Sequence, residues 1–337
     1  MEHSTTKELD QASAWAVVLA GGSGTRVQSL TRKIEGDQRP KQFCRMLGGR
    51  SLLGDTRERL RPIFPEDRTV FVMTKAHEMF YTEELSDVDA SRIVAQPLNR
   101  GTGVAVIVAL LRVLQEDANA VVAFFPSDHY FADNAAFLAT VQSAIGAATK
   151  QTESIILLGA QPLWPEVEYG WIEPGVPVSD GGQAPLLRVN RFWEKPPRAT
   201  ARELVRTGGL WNTFVTIGRA GAFLNLFHFT VPAAVAEFAG ALELGDVERA
   251  YRDASSIDFS KDVLSVEPRR LLVMRDAASG WADLGNPDRV VNTLVQNQIE
   301  PEWLLKMRGS YLPGFTTNNR MPRRRRVGMI APSYGVK

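Results

Sequence analysis

Short apolar runs alternate with longer amphipathic stretches through the first half of the chain. Residues 15–19, 68–73, 93–95, 120–125 and 154–159 are brief, apolar or β-branched, and predict buried strands. Between them, residues 75–85, 102–116 and 133–149 predict helices, with Thr102 and Asp133 as N-caps. This alternation predicts a parallel sheet covered by helices on both faces. Ligands of such sheets gather outside the carboxyl ends of the strands, so the segments after Leu19 and Pro126 are expected to share one cleft. The second half is less regular. Strands are predicted at 169–172, 186–193, 210–218 and 270–274, a helix at 199–205, and mainly helix over 220–254.

Composition narrows the setting. The 337 residues carry a net charge of +1, with 44% apolar and 23% charged residues, as in an ordinary soluble globular protein. So balanced a chain has no global pull toward nucleic acid or a membrane, and any anion site must be local. Cys44 is the only cysteine, which excludes an internal disulfide and a multi-cysteine zinc site. His3, His77, His129 and His228 are too scattered for a histidine metal site. Residues 1–13 lack a signal-peptide core, and the longest apolar run, 104–111, is too short to cross a bilayer. A cytoplasmic location is expected, and a homo-oligomer is left open. The arginines at 323–326 read as a solvated tail.

Candidate chemistry starts at Leu19-Ala20-Gly21-Gly22-Ser23-Gly24-Thr25-Arg26, where a strand empties into three glycines within four residues. Glycine admits positive φ and lets successive N–H groups converge on an anion. Arg26 adds a planar donor fork, and Lys41, in Arg39-Pro40-Lys41-Gln42-Phe43, adds a point charge. This set suits a polyphosphate, with an ordinary glycine-rich turn as the bland alternative. It is no P-loop, which ends Gly-Lys-Ser/Thr. Val27 stands where a dinucleotide fingerprint has its third glycine, and Thr25 where a hydrolase elbow has one. The polar segment 27–42 also carries Arg32, Lys33 and Arg39, and is expected to order when phosphates enter.

Asp128, just past a buried strand in Phe125-Pro126-Ser127-Asp128-His129, is placed to hold a divalent ion that also touches phosphates. Asp283, in Trp281-Ala282-Asp283-Leu284-Gly285, is a second candidate, and either aspartate could instead be a turn residue. His129 reads as a structural hydrogen-bonding residue rather than a general base. Glu194-Lys195-Pro196 sets an acceptor for sugar hydroxyls beside a cation for phosphate, or forms a surface pair. Asn212 suits a hydroxyl-rich ligand or a turn.

Taken in order, the motifs LAGGSGTR, RPKQF, QPLNRGT, FPSDHY, YGWIEPG, RFWEKP, LWNTF, SIDFS and WADLG resemble the sugar-1-phosphate nucleotidyltransferase family, particularly mannose-1-phosphate guanylyltransferases. They span roughly residues 15–290. The resemblance implies a Rossmann-like three-layer α/β/α fold with a mixed, mainly parallel central sheet. It implies a catalytic domain over 1–290 and a C-terminal helical extension with a basic tail over 291–337. It implies transfer of a nucleotidyl group from an NTP, GTP favoured, to a sugar 1-phosphate, mannose 1-phosphate favoured, with release of pyrophosphate and Mg²⁺ as cofactor.

Residue by residue, the resemblance gives Leu19, Gly21, Gly22, Gly24 and Thr25 to the nucleotide, with Gln96, Arg100, Gly101 and Thr102 near the base and ribose. It gives Arg26 to the departing pyrophosphate, Lys41 to the reacting phosphates, and Asp128 and Asp283 to Mg²⁺. Gly170, Glu194, Lys195 and Asn212 fall on the sugar side, where Lys195 orients the sugar phosphate. The chain departs from the family pattern in places. Asn99-Arg100-Gly101-Thr102 replaces Gly-Arg-Asn-Thr, and Gly103-Val104 replaces the Ala-Pro that follows. Asn212-Thr213-Phe214 replaces Asn-Ser-Gly, and Ser127 stands for alanine in Pro-Ala-Asp-His. The remaining C-terminal stretch predicts no second enzyme. Two other classes compete with the transferase: a non-catalytic nucleotide-sugar-binding paralogue, and a glycosyltransferase holding a metal with Asp87-Val88-Asp89.

Overall fold

The computed structural model describes residues 14–178, 185–276 and 279–309. Nine strands form one sheet: β1 (Ala14–Leu19), β2 (Thr69–Thr74), β3 (Ile93–Gln96), β4 (Val121–Pro126), β5 (Ile155–Ala160), β6 (Gly170–Val178), β7 (Leu186–Glu194), β8 (Leu210–Arg219) and β9 (Leu271–Asp276). Their order is β3-β2-β1-β4-β8-β5-β9-β7-β6. Only β7 and β8 run against the rest, so the sheet is mixed but mainly parallel, as expected.

The helices are α1 (Gln28–Glu35), α2 (Leu52–Leu60), α3 (Glu78–Tyr81), α4 (Gly101–Glu116), α5 (Asn134–Lys150), α6 (Arg198–Thr207), α7 (Ala220–Thr230), α8 (Pro232–Leu244), α9 (Val247–Asp253) and α10 (Pro287–Gln296). On one face Val17, Val72, Val122 and Phe124 pack with residues of α4, α7 and α8. On the other, Ala16, Val18, Phe71 and Phe125 pack with α2 and α5. Both faces of these strands are buried, which is why they read as unbroken apolar runs rather than alternating ones. The result is a three-layer α/β/α fold. The chain divides into two compact units after Glu300. In the second, the described residues hold one helix, α11 (Glu302–Gly309). The arginines at 323–326 lie outside the described residues.

Several elements differ from expectation. The polar segment 27–42 contains α1 and, at its end, the 3₁₀ turn Lys41–Phe43. The helix predicted over 75–85 shortens to a 3₁₀ turn, Lys75–His77, followed by α3. The stretch 220–254 is mainly helical as expected, divided into three helices because Pro232 starts α8 and Gly245 ends it at φ 71°. Helix α2 is an addition to the predicted elements, and its N-cap is Ser51, whose side chain accepts from Gly54 N.

Candidate active site

β1 and β4 lie side by side with Leu19 opposite Pro126, so the glycine loop and Ser127-Asp128 leave the sheet together. Ser127 N donates to Leu19 O at 3.2 Å. The loop carbonyls are held by side chains. Gln42 Nε2 donates to Ala20 O (2.7 Å) and Gly22 O (2.9 Å), while Thr74 Oγ1 (3.1 Å) and Asn99 Nδ2 (3.4 Å) donate to Gly21 O. Among the described residues, the amides of Gly21, Gly22, Ser23 and Gly24 have no acceptor in the protein. A loop with fastened carbonyls and free N–H groups is built for an anion. Gly24 takes φ 61°, and a Cβ there would sit 2.7 Å from Lys41 N, so glycine lets the loop press on the Lys41 turn.

That contact sets Lys41. Its side chain is buried, its Nζ lies 3.2 Å from Asp128 Oδ2, and the same ammonium donates to Asp283 O. Asp283 follows β9, beyond β8 and β5 from β4, yet arrives beside Asp128. The cause is a short antiparallel bridge: Tyr130 N donates to Ala282 O (2.8 Å) and Ala282 N to Tyr130 O (2.9 Å). His129 is locked between the two segments. Burial pushes its imidazole down to about 4, so it is neutral near pH 7. Nδ1 accepts from Trp281 Nε1 at 3.1 Å, and the ring also bonds the Thr213 main chain. Its role is structural.

A cleft of about 380 Å³ is lined by Leu19, Gly21, Gly22, Gln96, Gly101, Thr102, Asp128 and His129 among others; Lys41 and Asp283 lie behind Asp128 and His129 and are not part of its lining. Its Gly101–Thr102 end is stitched to the segment that carries SIDFS. Ile257 N donates to Arg100 O, Gly103 N to Ile257 O, and Phe259 N to Thr102 Oγ1 at 3.0 Å. Gly101 takes φ 82°, and a Cβ there would lie 2.3 Å from Ile257 O. Gln96 is buried and fixed, accepting from Tyr251 OH (3.2 Å) and donating to Met73 O (3.3 Å). Arg100 differs from the nucleotide contact expected of it. Its guanidinium donates to the carbonyls of Tyr251 (2.6 Å) and Arg252 (2.8 Å), which makes it a strut of this segment. Thr25 opens an exposed 3₁₀ turn with Arg26, whose Nη1 lies 3.6 Å from Glu168 Oε2.

The residues expected on the sugar side form a second group. Gly170 pairs in register with Glu194, and a Cβ on it would meet Glu194 Oε2 at 3.1 Å and Asn212 Cβ at 3.3 Å. Lys195 Nζ pairs with Glu194 Oε1 at 2.9 Å. Asn212 lies within β8, at its irregular pairing with β5, and its Oδ1 accepts from Phe214 N at 3.1 Å. Tyr169 joins this group to Asp283, whose Oδ1 accepts from Tyr169 OH at 2.8 Å.

Asp283, expected as a metal ligand, has its carboxylate engaged by donors of the protein. Beyond Tyr169, its carboxylate accepts from Gly285 N (3.0 Å) and from Arg289 Nη1 (3.0 and 2.8 Å). Burial alone would raise its pKa, but Lys41 and Arg289 outweigh that and hold it below the usual value. Asp128 is freer, half-buried at the cleft wall and 3.9 Å from His129 Nε2. Among the described residues no three His, Cys, Asp or Glu side chains converge on a metal cage. Magnesium needs none, since one or two carboxylates plus phosphates and water satisfy it, and the hard oxygens of Asp128 suit it.

Sequence reasoning missed Gln42, Glu168, Tyr169 and Arg289 as members of the site. Gln42 and Tyr169 lie inside quoted motifs, but Arg289 carries no signal short of the fold. A larger cavity of about 840 Å³, lined by Arg39, Phe43 and Arg57 among others, contains none of the residues expected of the transferase site but does carry Asp87, Val88 and Asp89 of the competing reading. Its Arg57 pairs with Asp87 at 2.8 Å, and Asp89 caps the turn Ala90–Arg92, so that pair of aspartates is engaged structurally.

The comparisons agree with this geometry. The nucleotidyl transferase family model matches residues 15–298. Xanthan biosynthesis protein XanB of Xanthomonas campestris pv. campestris is 32% identical over 279 residues, covering 80% of this chain and 57% of that protein. Mannose-1-phosphate guanylyltransferase RfbM of Salmonella typhimurium is 27% identical over 282 residues, 80% of this chain and 56% of the relative. The chain thus spans a little over half the length of these curated relatives. The crystal structure of mannose-1-phosphate geranyltransferase from Thermus thermophilus superposes with a TM-score of 0.71 at 29% identity, over 83% of this chain and 79% of that one. No helix among the described residues is long and apolar enough to cross a membrane. With a family match from β1 to the end of α10, and the matched motifs gathered at one end of the sheet, this chain belongs to the nucleotidyl transferase family.

Proposed function

We propose that the chain transfers a nucleotidyl group from an NTP to a sugar 1-phosphate, with GTP and mannose 1-phosphate as the preferred pair, working in the cytoplasm. The observation that carries this reading is the buried Lys41 ammonium, held between Asp128 and the Asp283 carbonyl beneath a loop of free amides. Fixed positive charge there costs no reorganisation when phosphate charge develops.

A phosphate oxygen of the sugar 1-phosphate attacks the α-phosphorus of the NTP. The bond to the bridging α–β oxygen breaks, and its electron pair leaves on pyrophosphate. The chain's part is positioning and charge neutralisation, with no enzyme nucleophile. The amides of Gly21, Gly22 and Gly24 and the guanidinium of Arg26 hold the triphosphate. Lys41 spans the reacting phosphates, and Lys195 orients the sugar phosphate while Glu194 accepts from sugar hydroxyls. Gln96, Gly101 and Thr102 border the base and ribose. Bound Mg²⁺, held by Asp128 and substrate phosphates with Asp283 beside it, would polarise the α-phosphate. Residues 1–290 act as the catalytic domain in this reading, and 291–337 as an extension.

The test is pyrophosphate release with mannose 1-phosphate and Mg²⁺, offered GTP, ATP, UTP, CTP and dTTP in parallel. Release is expected with GTP, and Lys41→Met should lower it by roughly 10³-fold, as for loss of a preorganised charge at a developing anion. Release with another NTP would move the base preference. Product binding without turnover under every NTP and sugar phosphate would favour the non-catalytic paralogue.

A further inference from the structure

The two aspartates Asp128 and Asp283 each carry a cation of the protein, but the two cations are held differently. Lys41, on Asp128, is also tied to the Asp283 carbonyl and is buried between them. Arg289, on Asp283, is shared among three carboxylates. Its Nη1 lies 2.8 Å from Asp283 Oδ2, and its Nη2 lies 3.1 Å from Glu166 Oε2 and also donates to Glu168. The guanidinium stacks over Tyr169, with Cζ 4.6 Å from the ring centroid. Its backbone is set by the cap of α10, where Asn286 Oδ1 accepts from Arg289 N at 2.9 Å.

The arrangement is built, not incidental. A Cβ on Gly285 would lie 2.3 Å from Asp283 Oδ2 and 2.9 Å from Arg289 Nη1, so glycine there is what lets the pair close. Glu166 is itself fixed, accepting from Trp164 Nε1 (3.1 Å) and from the amides of Val167 (2.8 Å) and Glu168 (3.0 Å). Asp283 Oδ1 already takes three donors, from Tyr169, Gly285 and Arg289. Oδ2 takes Arg289 alone among the described residues. A divalent ion reaching Asp283 must therefore use Oδ2, and meets a guanidinium there. Expelling a buried cation from its partner is costly unless another anion receives it. Here two do: Glu166 and Glu168 keep Arg289 paired after Asp283 lets go.

We propose that Arg289 is a positioning residue that competes with the divalent ion for Asp283, withdrawing onto Glu166 and Glu168 when the ion binds. Metal affinity is then set by this competition and not by the carboxylates alone. Arg26 joins the same circuit through Glu168, at 3.6 Å. The inference rests on the proposed function only in taking Asp283 as a carboxylate the divalent ion reaches.

The experiment counts free Mn²⁺ by EPR over the full-length, nucleotide-free protein, with Mn²⁺ alone as probe. Arg289→Gln should tighten Mn²⁺ binding by about tenfold, the scale of one lost competing interaction. Glu168→Gln, which removes one alternative seat, should weaken it by about threefold on the same scale. Asp283→Asn in the Arg289→Gln background should abolish the gain. Unchanged or weaker binding in Arg289→Gln, or a gain that survives Asp283→Asn, overturns the proposal. If thermal melts show Arg289→Gln unfolded, the exposed Glu168→Gln decides, and binding equal to or tighter than wild type overturns it. A wild type that releases no pyrophosphate but keeps this order of Mn²⁺ affinities would lose the transferase reading and keep the competition. An active wild type without that order would do the reverse.

Discussion

The two walls of the candidate site, the loops after β1 and β4 and the group on β6, β7 and β8, hold their residues by opposite means. On the wall beyond β1 and β4, the backbone amides of the glycine loop are left free, and side chains work behind it as struts. Gln42, Thr74 and Asn99 fasten loop carbonyls, while glycines take the positive φ values. On the wall made by β6, β7 and β8, aromatic rings do the supporting. Tyr169 stands edge-on to Trp211 and to Trp281, each at 5.2 Å between centroids. Positive φ there falls on side-chain-bearing residues, Lys195 at 47° and Phe214 at 67°. Strained non-glycine backbone gathers at functional sites because the surrounding packing can hold it. The first wall depends on charge and on the absence of Cβ atoms, the second on packing.

The largest effect that would sharpen this contrast comes from the charged struts. Glu35, at the end of α1, has a side chain only 1% exposed and holds Arg45 at 2.8 Å and Arg39 at 3.4 Å. It ties together the turn that carries Lys41. Burial raises its pKa, but hydrogen bonds from Arg45 and the charges of Arg39 and Arg45 outweigh that and leave it below 4.5. A carboxylate with a depressed folded pKa stabilises fully above its unfolded value, and that stability is lost as pH falls through the folded one. Glu35→Gln should therefore cost ~3 kcal/mol at pH 7, as for a buried pair with one partner removed. Urea melts should show the gap to wild type closing as the pH falls below 4.5. Equal stability at pH 7 would mean the first wall does not lean on charge.

The same contrast explains what could be read from the sequence. The parallel strands, α4 and α5, and the sharing of one cleft by the glycine loop and Asp128 were legible because strand–helix alternation and a glycine cluster are local signals. The bridge between Tyr130 and Ala282, which brings Asp283 to Asp128, was not, because it joins residues 152 positions apart. Arg289 was invisible for a similar reason: its partners Glu166, Glu168 and Asp283 lie on separate stretches of chain far from it or in another motif. A guanidinium in a polar loop suits phosphates, which is why Arg100 reads as a nucleotide contact. In the fold, two carbonyls near the end of α9 claim it. The helix expected over 75–85 falls short because turn chemistry after β2 takes precedence over a short amphipathic pattern.

A middle-sized effect tests the glycine side. Gly24→Ala places a Cβ 2.7 Å from Lys41 N at φ 61°, so the loop must move away from the Lys41 turn. The positive φ and the displaced backbone together should cost ~2 kcal/mol of stability. Because Lys41 shifts with the turn, pyrophosphate release should fall more than Mg²⁺-free nucleotide binding, measured side by side. Loss of binding with turnover per bound nucleotide intact would separate the loop from Lys41 and break the proposed link between them.

The smallest effect tests the packed wall, at Phe214, where the family pattern has glycine. Its φ of 67° costs a phenylalanine ~1 kcal/mol that a glycine avoids. Its ring offsets this by packing edge-on to Phe259, at 6.1 Å, and by lining the cleft. The two terms can be separated with two variants. Phe214→Ala loses the ring and keeps the positive φ on a residue with a Cβ. Phe214→Gly loses the ring and the strain together, though it also gives the unfolded chain more freedom to lose. If strain is the larger of those two differences, Phe214→Gly is the more stable variant by ~0.5 to 1 kcal/mol in urea melts. The reverse order would mean that the packed wall holds Phe214 without strain, and that the positive φ values on this side are simply the conformation its aromatic packing selects.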